Sequence, residues 1–421
     1  MSVPIISVTG TKGKTTTTGV ITDVLRKLGH NTLKVDTAGH YVNGRQKSTL
    51  DDSKKTWRLV PTVCPGRYLW EFHRNPELKE NGVAVLECAL GSSAAAGLGY
   101  RNHTVGVFLN VFEDHLGSSS RLKTKDDIAT AKEFIFKKLD RDNSYAVFNA
   151  DDPLVCKKLD KAPKKAVLIP CGLDFSHYDL DGHLKDGGIA ITAKQGKVWL
   201  LGKSGKTELL DLNNIPWTFG GAFGPSVFNL MHAAAAVIAF YSGTIPPGLK
   251  PAFESVRLDP YGGRLTLLKA SNGATILADY AHEKVSLKQV AELARGLTDG
   301  GQVIGVVRLA KDRTNRLIQE TGETIADSYD RFIVFDKIDG YWKKPTITTG
   351  RFPETVGKVS KSFAAALKSK NPNVERILRE DKAIERAARI AKPEDVIVVI
   401  VNDDIRRSIG FIKESFKAEF I

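Results

Sequence analysis

A glycine-rich segment near the start of the sequence has the residue types that bind a phosphate group. Its residues are, in order, Gly10, Thr11, Lys12, Gly13, Lys14, Thr15 and Thr16. Glycines let several backbone N–H groups point at one anion, and a helix N-terminus adds partial positive charge. We expect Lys14 to reach the β- and γ-phosphates of a nucleotide and the Thr15 hydroxyl to bind Mg²⁺. The loop is shorter than G-x-x-x-x-G-K-[ST], because Val8 occupies the position of the first glycine.

The segments on either side of this loop predict a strand and a helix. The apolar run Ile5–Val8 is typical of a buried strand. In Thr17–Leu28 apolar residues recur at helical spacing, and Gly29 is a suitable C-terminal stop. A phosphate-binding loop needs this order of strand, glycine loop and helix. The alternative is a glycine-rich turn that carries a surface lysine.

The composition is that of an ordinary globular protein with an excess of basic residues. The 421 residues are 42% hydrophobic and 26% charged, and this length predicts roughly two or three domains. No apolar run approaches the roughly 20 residues that span a bilayer, and we recognise no signal peptide. The four cysteines show no C-x-x-C pairing, which favours reduced thiols. We therefore expect a cytoplasmic protein with no membrane partner.

The net charge of +13 has two interpretations. The lysines are scattered, with no long basic tail and no aromatic-studded basic motif, so we expect no nucleic-acid partner and no nucleic-acid-dependent ATPase. The charge would instead attract an anionic substrate or polymer. Lysines that are simply exposed to solvent on the protein surface would explain the net charge equally well.

Strand and helix signals alternate from residue 1 to about residue 240. Three apolar runs end at polar side chains: Val83–Glu87, Val105–Asn110 and Tyr145–Asn149. A helix is predicted over 126–139, between the last two runs. Strands separated by helices favour a parallel, doubly wound sheet that binds ligands beyond the carboxyl ends of its strands. Residues 165–220 predict a small antiparallel sheet appended to it, and a helix over 227–241 follows.

Residues 251–421 predict a second α/β domain. Strand signals occur at 274–278, 303–307, 331–335 and 396–400, with helices between them. The pattern resembles a small Rossmann-like sheet, but G-x-G-x-x-G is absent, so nothing favours NAD. The predicted fold class is therefore α/β, with a P-loop doubly wound ATPase domain over 1–250 and a C-terminal Rossmann-like domain over 251–421.

Two further side chains are candidates for a metal site beside the phosphate loop. Glu87 ends an apolar strand, where a carboxylate is costly unless it binds a cation or a partner. His115 lies just past another predicted strand end. Carboxylate oxygen, more than imidazole, suits Mg²⁺ or Mn²⁺. The alternative is a salt-bridged glutamate and a hydrogen-bonded loop histidine.

Five short motifs occur together in a specific order. They are TGTKGKTTTT at 9–18, NVFEDHL at 110–116, NADDP at 149–153, Gly263-Arg264, and DYAH at 279–282. In these motifs the sequence resembles the Mur ligase superfamily over nearly the whole chain. The likeness is greatest to the C-terminal, Mur-ligase-like half of cyanophycin synthetase, which the segments 86–91, 97–100 and 391–396 also resemble. Its ATP-grasp half is not found, nor is a domain for UDP-linked precursors, so we expect a substrate without UDP.

The resemblance implies an ATP-dependent amide ligase that activates a carboxylate as an acyl phosphate for attack by an amine. It implies that Lys14 neutralises charge on the transferring phosphoryl group and that Thr15 and Glu87 hold one Mg²⁺ ion. His115 would help to hold a second ion, where there are two. Lys132 matches the lysine that some members carbamylate; its alternative is a helix-surface lysine.

The resemblance also implies the remaining nucleotide contacts. Asn110 and Asn229 match positions near the nucleotide, although His232 replaces the second asparagine of the adenine-binding pattern. Arg264 matches a phosphate-contacting arginine and Asp279 a ribose-contacting aspartate, both of which act when the C-terminal domain closes over ATP.

The substrates are less defined than the nucleotide. We expect an acidic carboxylate acceptor and an amino acid amine donor, such as a basic amino acid. Residues 36–40 and Arg45 are candidate substrate contacts, in loops around 40–75. Three basic residues in a second loop region, around 308–350, are candidates for binding an anionic group: Arg308, Lys311 and Arg313.

Two alternatives to a cyanophycin-synthetase-like enzyme stay open. The motif EDH at 113–115 is also similar to the ligase subunit of poly-γ-glutamate synthase. A non-catalytic nucleotide-binding partner of another enzyme is favoured by His232 and by Glu283 and Lys284, which replace the N-P that usually follows D-Y-A-H.

Overall fold

The computed structural model describes residues 3–49, 60–90, 97–113, 122–262, 264–310, 313–337 and 356–421. Contacts divide the chain into two compact units, Met1–Arg257 and Leu258–Ile421. The boundary falls after the helix Leu249–Glu254, whereas the boundary predicted between residues 250 and 251 lies inside this helix. Among the described residues, no helix has both the length and the apolar character to cross a membrane.

The first unit is built on one mixed sheet of eleven strands. The strands are β1 Ile5–Thr9, β2 Asn31–Asp36, β3 Gly39–Val42, β4 Arg45–Thr49, β5 Gly82–Glu87, β6 Val105–Phe108, β7 Tyr145–Asn149, β8 Val167–Cys171, β9 Ala190–Lys194, β10 Lys197–Gly202 and β11 Gly205–Asp211. Their order is β11-β10-β9-β8-β7-β6-β1-β5-β2-β3-β4. The strands from β9 to β2 are parallel, and an antiparallel pair extends the sheet at each end.

Strand β1 lies between β5 and β6. The chain therefore adds strands on one side of β1 first and on the other side afterwards. In open α/β sheets the crevice at such a change of direction, beyond the carboxyl ends of the strands, is where ligands bind. The phosphate loop follows β1 directly, so the fold places it at this crevice.

Nine helices belong to the described part of the first unit. They are α1 Lys14–Lys27, α2 Glu71–Arg74, α3 Pro76–Lys79, α4 Lys125–Lys132, α5 Phe134–Lys137, α6 Pro153–Cys156, α7 Leu180–Lys185, α8 Gly224–Phe240 and α9 Leu249–Glu254. Helix α8 packs against α1, and its four alanines, 233–236, are fully buried. Small side chains let these helices approach closely and carry the phosphate loop between them.

The single helix predicted over 126–139 is wrong. Helix α4 ends at Lys132 and α5 begins at Phe134. At the junction the Glu133 N–H donates to the Thr130 carbonyl at 3.3 Å, and the Glu133 carbonyl accepts from Phe136 N–H at 3.0 Å. These i→i+3 bonds tighten the backbone into a 3₁₀-like turn, which apolar spacing does not reveal.

The second unit contains a mixed sheet of seven strands in the order β16-β15-β14-β17-β13-β12-β18. The strands are β12 Thr266–Lys269, β13 Thr275–Asp279, β14 Val303–Val307, β15 Arg331–Val334, β16 Val374–Arg376, β17 Val396–Ile400 and β18 Glu419–Phe420. The described helices are α10 Lys284–Leu297, α11 Asn315–Ile325, α12 Lys358–Lys368, α13 Glu380–Ile390 and α14 Ile405–Phe416. Strands β13 to β16 and β17 are parallel, while β12 and β18 are antiparallel additions. The α/β class predicted for both domains is confirmed.

Candidate active site

The phosphate loop turns from β1 into α1 in a conformation that requires glycine. Gly13 has φ +82°, and a Cβ there would lie 2.1 Å from Asn229 Oδ1. A Cβ on Gly10 would lie 2.9 Å from Leu109 Cβ. Both the space around Gly13 and its backbone conformation therefore disfavour a side chain at this position. Asn229, predicted near the nucleotide, packs directly against this glycine.

Asn110 fixes the shape of the loop. Its Oδ1 accepts the backbone N–H groups of Thr11 and Lys12 at 3.1 and 2.9 Å, and its Nδ2 donates to the Lys12 carbonyl at 3.2 Å. The Thr11 hydroxyl accepts from Phe112 N–H at 3.1 Å. The structure thus places the side chain of Asn110 on the loop backbone, where it ties the loop to the end of β6.

The positive end of α1 faces the loop, where it can attract an anion. No side chain caps this helix, and no acidic residue lies in its first turn. Lys14 Nζ donates to the Thr11 carbonyl at 3.0 Å, so the ammonium group lies over the loop. Thr16 follows in the first turn, with Lys12 on the loop itself. Helix dipole, loop backbone and Lys14 together form a cradle suited to a phosphate group.

Glu87 is held beside the loop by two threonine hydroxyls. Thr15 Oγ1 donates to Glu87 Oε2 at 2.9 Å, and Thr37 Oγ1 donates to Glu87 Oε1 at 3.2 Å. The carboxylate is only 2% exposed. Burial raises the pKa of Glu87, while the Lys14 charge and the two hydroxyls oppose that shift. A buried carboxylate with neighbouring hydroxyls gains from a divalent cation, because the cation compensates its lost hydration.

These oxygen donors fit Mg²⁺. The ion commonly uses one or two carboxylates together with substrate phosphates and water, and Thr15 and Glu87 offer a hydroxyl and a carboxylate side by side. Within the described ranges, no group of three or more His, Cys, Asp and Glu side chains could hold a metal. His115, the third predicted metal ligand, lies outside the described residues.

Lys132 is a buried residue rather than a surface lysine. It is 3% exposed, and its Nζ donates to the Gly10 carbonyl at 2.8 Å. Its charge also lies near the Cys88 thiol, whose pKa burial raises to about 12. The C-terminal end of α4 therefore places a cation directly behind the phosphate loop. The alternative of a helix-surface lysine is wrong.

The motif NADDP at 149–153 supports the loop that follows β6. Asn149 Nδ2 donates to the Leu109 carbonyl at 3.0 Å. Asp152 accepts from Val111 N–H at 2.7 Å with one oxygen and caps α6 with the other. These side chains bind the backbone on both sides of Asn110, at Leu109 and Val111. Their effect on the phosphate loop is therefore indirect, through the position of Asn110.

His232 is a neutral, buried residue one turn beyond Asn229 on α8. It is 1% exposed, and its Nδ1 donates to the Phe228 carbonyl at 2.7 Å. Burial lowers its pKa to about 4. Among the described residues its Nε2 has no hydrogen-bond partner, so this ring nitrogen is an acceptor at the position where the family pattern has an amide.

The candidate substrate contacts, residues 36–40 and Arg45, belong to the strands β2, β3 and β4 and to the turn between β2 and β3. The sequence analysis placed them in loops. Asp36 ends β2 and accepts the N–H groups of Ala38 and Gly39 at 2.9 and 3.2 Å. His40 Nε2 lies 2.9 Å from Glu71 Oε1, and both side chains are buried. Among these candidate substrate contacts, Thr37 lies beside the predicted metal ligands, because its hydroxyl donates to Glu87. Its place directly after a strand end was the available signal.

The second unit carries the other predicted nucleotide contacts at one edge of its sheet, with Asp279 at the carboxyl end of β13 and Arg264 just before the antiparallel strand β12. Asp279 ends β13 and accepts the N–H groups of Leu265 and Ala281 at 3.0 and 2.7 Å. The Arg264 guanidinium carbon lies 5.4 Å from the centre of the Tyr280 ring. Gly263 lies outside the described residues. This unit therefore presents Arg264 and Asp279 on one edge of its sheet.

The departure from D-Y-A-H-N-P has a local structural reason. Glu283 caps α10, accepting the N–H groups of Val285 and Ser286 at 2.9 and 2.8 Å. Lys284, the first residue of that helix, contacts Glu320 at 3.3 Å. A glutamate at the N-cap satisfies two of the backbone N–H groups that the first turn of a helix leaves without a partner.

The chain is similar to known proteins over nearly its full length. It is 30% identical to cyanophycin synthetase from Synechocystis sp. over 98% of this chain and 44% of that protein. It is 25% identical to UDP-N-acetylmuramoyl-L-alanyl-D-glutamate--2,6-diaminopimelate ligase from Phocaeicola vulgatus, over 94% and 72% of the two chains. The chain thus spans less than half the length of the cyanophycin synthetases that it matches.

Solved structures share the fold. E. coli FolC, in complex with DHPP and ADP, superimposes with a TM-score of 0.68 at 17% identity, over 98% of this chain and 89% of FolC. MurF ligase from Thermotoga maritima, in complex with ADP, gives 0.62 at 17% identity, over 99% and 81%. Residues 8–176 match the Mur ligase middle domain, and residues 263–400 match the Mur ligase, glutamate ligase domain. With both domains matched in order, the chain belongs to the Mur ligase family.

Proposed function

We propose that this protein is an ATP- and Mg²⁺-dependent amide ligase that joins a carboxylate to the amine of an amino acid. The observation that carries the proposal is the phosphate loop, in which Gly13, Lys14 and Thr15 lie beside the buried carboxylate of Glu87. Membership of a ligase family supports the same activity.

The reaction has two steps. In the first, an oxygen of the acceptor carboxylate bonds to the γ-phosphorus as the bond to ADP breaks, which gives an acyl phosphate. In the second, the amine attacks the acyl carbon, loses a proton, and inorganic phosphate leaves. Lys14 and the N-terminus of α1 provide positive charge where the transferring phosphoryl group carries negative charge. Bound Mg²⁺ would supply further neutralisation of phosphate charge.

The residues take distinct roles in this proposal. Thr15 and Glu87 hold Mg²⁺, with His115 as a further ligand. The backbone of 10–16 binds phosphate, and Asn110 keeps that backbone in shape. Asn229 of the first unit is a further nucleotide contact.

The remaining proposed roles rest on family position. Arg264 and Asp279 of the second unit bind phosphate and ribose. Lys132 either supports the loop as an ammonium group or serves the metal as a carbamate; the contact from its Nζ to the Gly10 carbonyl favours the first role.

The substrate assignment follows the similarity to cyanophycin synthetase. We infer an acidic acceptor, which the net charge of +13 would attract, and an amino acid donor, with the reaction in the cytoplasm. The poly-γ-glutamate-synthase-like ligase subunit differs only in its acceptor and donor. A non-catalytic nucleotide-binding partner would bind ATP without turnover.

The test is ATP turnover across a matrix of acidic acceptors and amino acids, following ADP and the mass of each product. We expect ADP only where an acceptor and a donor are both present, with a product mass equal to their sum less water. Lys14→Ala should abolish turnover while Lys12→Ala retains it in part. ATP binding without turnover for any pair would contradict the ligase and leave the non-catalytic partner.

A further inference from the structure

Leu265, in the second unit, has a backbone conformation that is rare for its residue type. Its φ is +48°, in the left-handed region that glycine adopts readily and that other residues adopt only at a cost. Among the described residues with a positive φ, Phe175 and Phe219 are the other two with large apolar side chains. A strained residue persists only where its surroundings hold it, and strain of this kind is frequent at functional sites.

Asp279 supplies a contact that holds Leu265. Strand β12 begins at Thr266, which pairs with Ala278 of the antiparallel strand β13, so Leu265 lies beside Asp279 at the end of β13. The Leu265 N–H donates to Asp279 Oδ2 at 3.0 Å, and Asp279 Oδ1 accepts from Ala281 N–H at 2.7 Å. The carboxylate is buried, and hydrogen bonds to charged groups are the stronger ones. This bond therefore stabilises Leu265 in its left-handed conformation.

Arg264 directly precedes Leu265. The backbone conformation of Leu265 therefore sets the direction in which the chain carries Arg264 away from the start of β12. The Arg264 guanidinium carbon lies 5.4 Å from the centre of the ring of Tyr280, the residue that directly follows Asp279. The guanidinium group thus lies close to the end of β13, where the Asp279 carboxylate holds Leu265.

We propose that Asp279 positions Arg264 for the nucleotide phosphates by holding Leu265 in the left-handed conformation, in addition to contacting the ribose; this rests on the nucleotide-binding roles proposed above. An ionised carboxylate accepts up to about four hydrogen bonds, so the bond from Leu265 N–H is compatible with a bond from a ribose hydroxyl. Without the carboxylate, Leu265 relaxes to a conformation that leucine prefers, and Arg264 turns away from the phosphates. Asp279 is therefore a positioning residue that couples recognition of the sugar to recognition of the phosphates.

A nucleotide without ribose hydroxyls separates the two roles of Asp279. Titration calorimetry of the full chain with Mg²⁺ would compare the β,γ-imido analogue of ATP with the 2′,3′-dideoxy form of the same analogue. We expect Asp279→Asn to weaken the dideoxy form about fivefold, because the Leu265 N–H loses a charged acceptor. The loss should be larger for the form with ribose hydroxyls, since that form also loses its own contact with the carboxylate.

A double variant tests whether this effect passes through Arg264. Arg264→Gln alone should weaken both nucleotides, because it removes a charged contact with phosphate. In the Arg264→Gln protein, Asp279→Asn should cause little further loss of affinity for the dideoxy form, since residues that act through one another have non-additive effects. A merely structural role of Asp279 would give the same loss in both backgrounds, and the proposal would then be wrong.

Leu265→Ile disturbs the same conformation without changing Asp279. A β-branched side chain makes a left-handed backbone more costly, so this variant should weaken both nucleotides several-fold in the presence of Arg264 and neither of them in the Arg264→Gln protein. Leu267→Ile is the matched control, since Leu267 lies in β12 opposite Leu277, where extended backbone suits isoleucine. Circular dichroism checks that the variants fold, and Leu265→Ile decides the matter if Asp279→Asn does not fold.

Two outcomes separate this inference from the proposed function. If Asp279→Asn weakened only the nucleotide with ribose hydroxyls, Asp279 would act through the sugar alone. The inference would then be wrong, and the proposed ligase activity would be unaffected. If neither Arg264→Gln nor Asp279→Asn changed the affinity for either nucleotide, the nucleotide-binding roles proposed for both residues would fail, and the inference would fail with them.

Discussion

At Gly13, conformation and space together restrict the residue to glycine. Its φ is +82°, and an added Cβ would meet Asn229 Oδ1 at 2.1 Å. We expect Gly13→Ala to lower the free energy of unfolding by about 1–3 kcal/mol, as strained backbone positions do. It should also weaken an ATP analogue by more than about tenfold, because the loop amides would turn away from the phosphate. Urea unfolding and calorimetric titration measure the two effects.

Gly29→Ala is the matched control for that substitution. Gly29 has φ +89°, but nothing lies within 4 Å of a Cβ built there. Only the conformational cost remains, about 1 kcal/mol, and nucleotide affinity should not change. If both variants lost affinity to the same extent, the contact between Gly13 and Asn229 would have no role in binding.

Two buried histidines should make the first unit sensitive to acid. Burial lowers the pKa of His103 and of His232 to about 4, while an unfolded histidine titrates near about 6.5. Between these values the unfolded chain binds more protons than the folded one. The free energy of unfolding therefore falls as the pH falls from about 6.5 towards about 4, by up to about 1.4 kcal/mol per pH unit for each histidine.

His232→Asn should reduce that sensitivity, since asparagine does not titrate. Urea unfolding of both proteins at about pH 7 and about pH 5 would measure it, with a smaller loss for the variant by about 1–2 kcal/mol. The comparison is between the two pH values within each protein, so any cavity left by the smaller side chain cancels. Identical losses would mean that His232 is protonated in the folded state.

At the scale of elements, the sequence predicts the strands and helices that a local apolar pattern defines. It misses the strands that depend on pairing with a distant segment of the chain. The run Ile5–Val8 locates β1 within one residue, and the helical spacing over Thr17–Leu28 locates the end of α1 within one residue but its start three residues late. Both elements are found because apolar burial acts on neighbouring residues. The hairpin of β2, β3 and β4 is not predicted. Its strands are short, and its burial depends on pairing with β5.

The candidate site shows the same division. Lys14 and Thr15 are recognisable from their spacing, and Glu87 from a carboxylate at an apolar strand end. The contacts of Asn110 with the loop backbone and of Thr37 with Glu87 join separate strand ends, and no local pattern specifies which strand ends meet. The burial of Lys132 likewise depends on where α4 packs.

Helix α4 carries Lys132 to the loop, so its start should affect nucleotide binding. Thr124 caps it in a capping box, in which its hydroxyl accepts from Asp127 N–H and the Asp127 carboxylate accepts from Thr124 N–H. We expect Thr124→Ala to cost about 1 kcal/mol of stability. As the first turn frays, Lys132 should hold the Gly10 carbonyl less firmly and the ATP analogue should bind several-fold more weakly.

Thr314→Ala serves as the comparison, because Thr314 caps α11 of the second unit by accepting from Leu317 N–H. Its loss should cost a similar free energy of unfolding, about 1 kcal/mol, and leave nucleotide affinity unchanged. Unchanged affinity in both variants would show that the position of Lys132 does not depend on the cap of α4.

At the scale of the whole molecule, each of the two compact units buries apolar side chains of its own. Ile169 on β8 and Ile397 on β17 are both fully buried, one in each compact unit. Each unit has its own sheet and its own apolar interior, which are the conditions under which a domain unfolds as a cooperative unit. We therefore expect two calorimetric transitions rather than one.

Paired truncations would assign these transitions. Ile169→Ala and Ile397→Ala should each cost about 2–5 kcal/mol, the usual range for a buried aliphatic side chain cut to alanine. Because the two side chains share no core, Ile169→Ala should lower the melting temperature of one transition and Ile397→Ala that of the other. A single transition that both variants shift by the same amount would contradict this expectation. The two units would then unfold cooperatively, although the contacts within the chain divide it near Arg257.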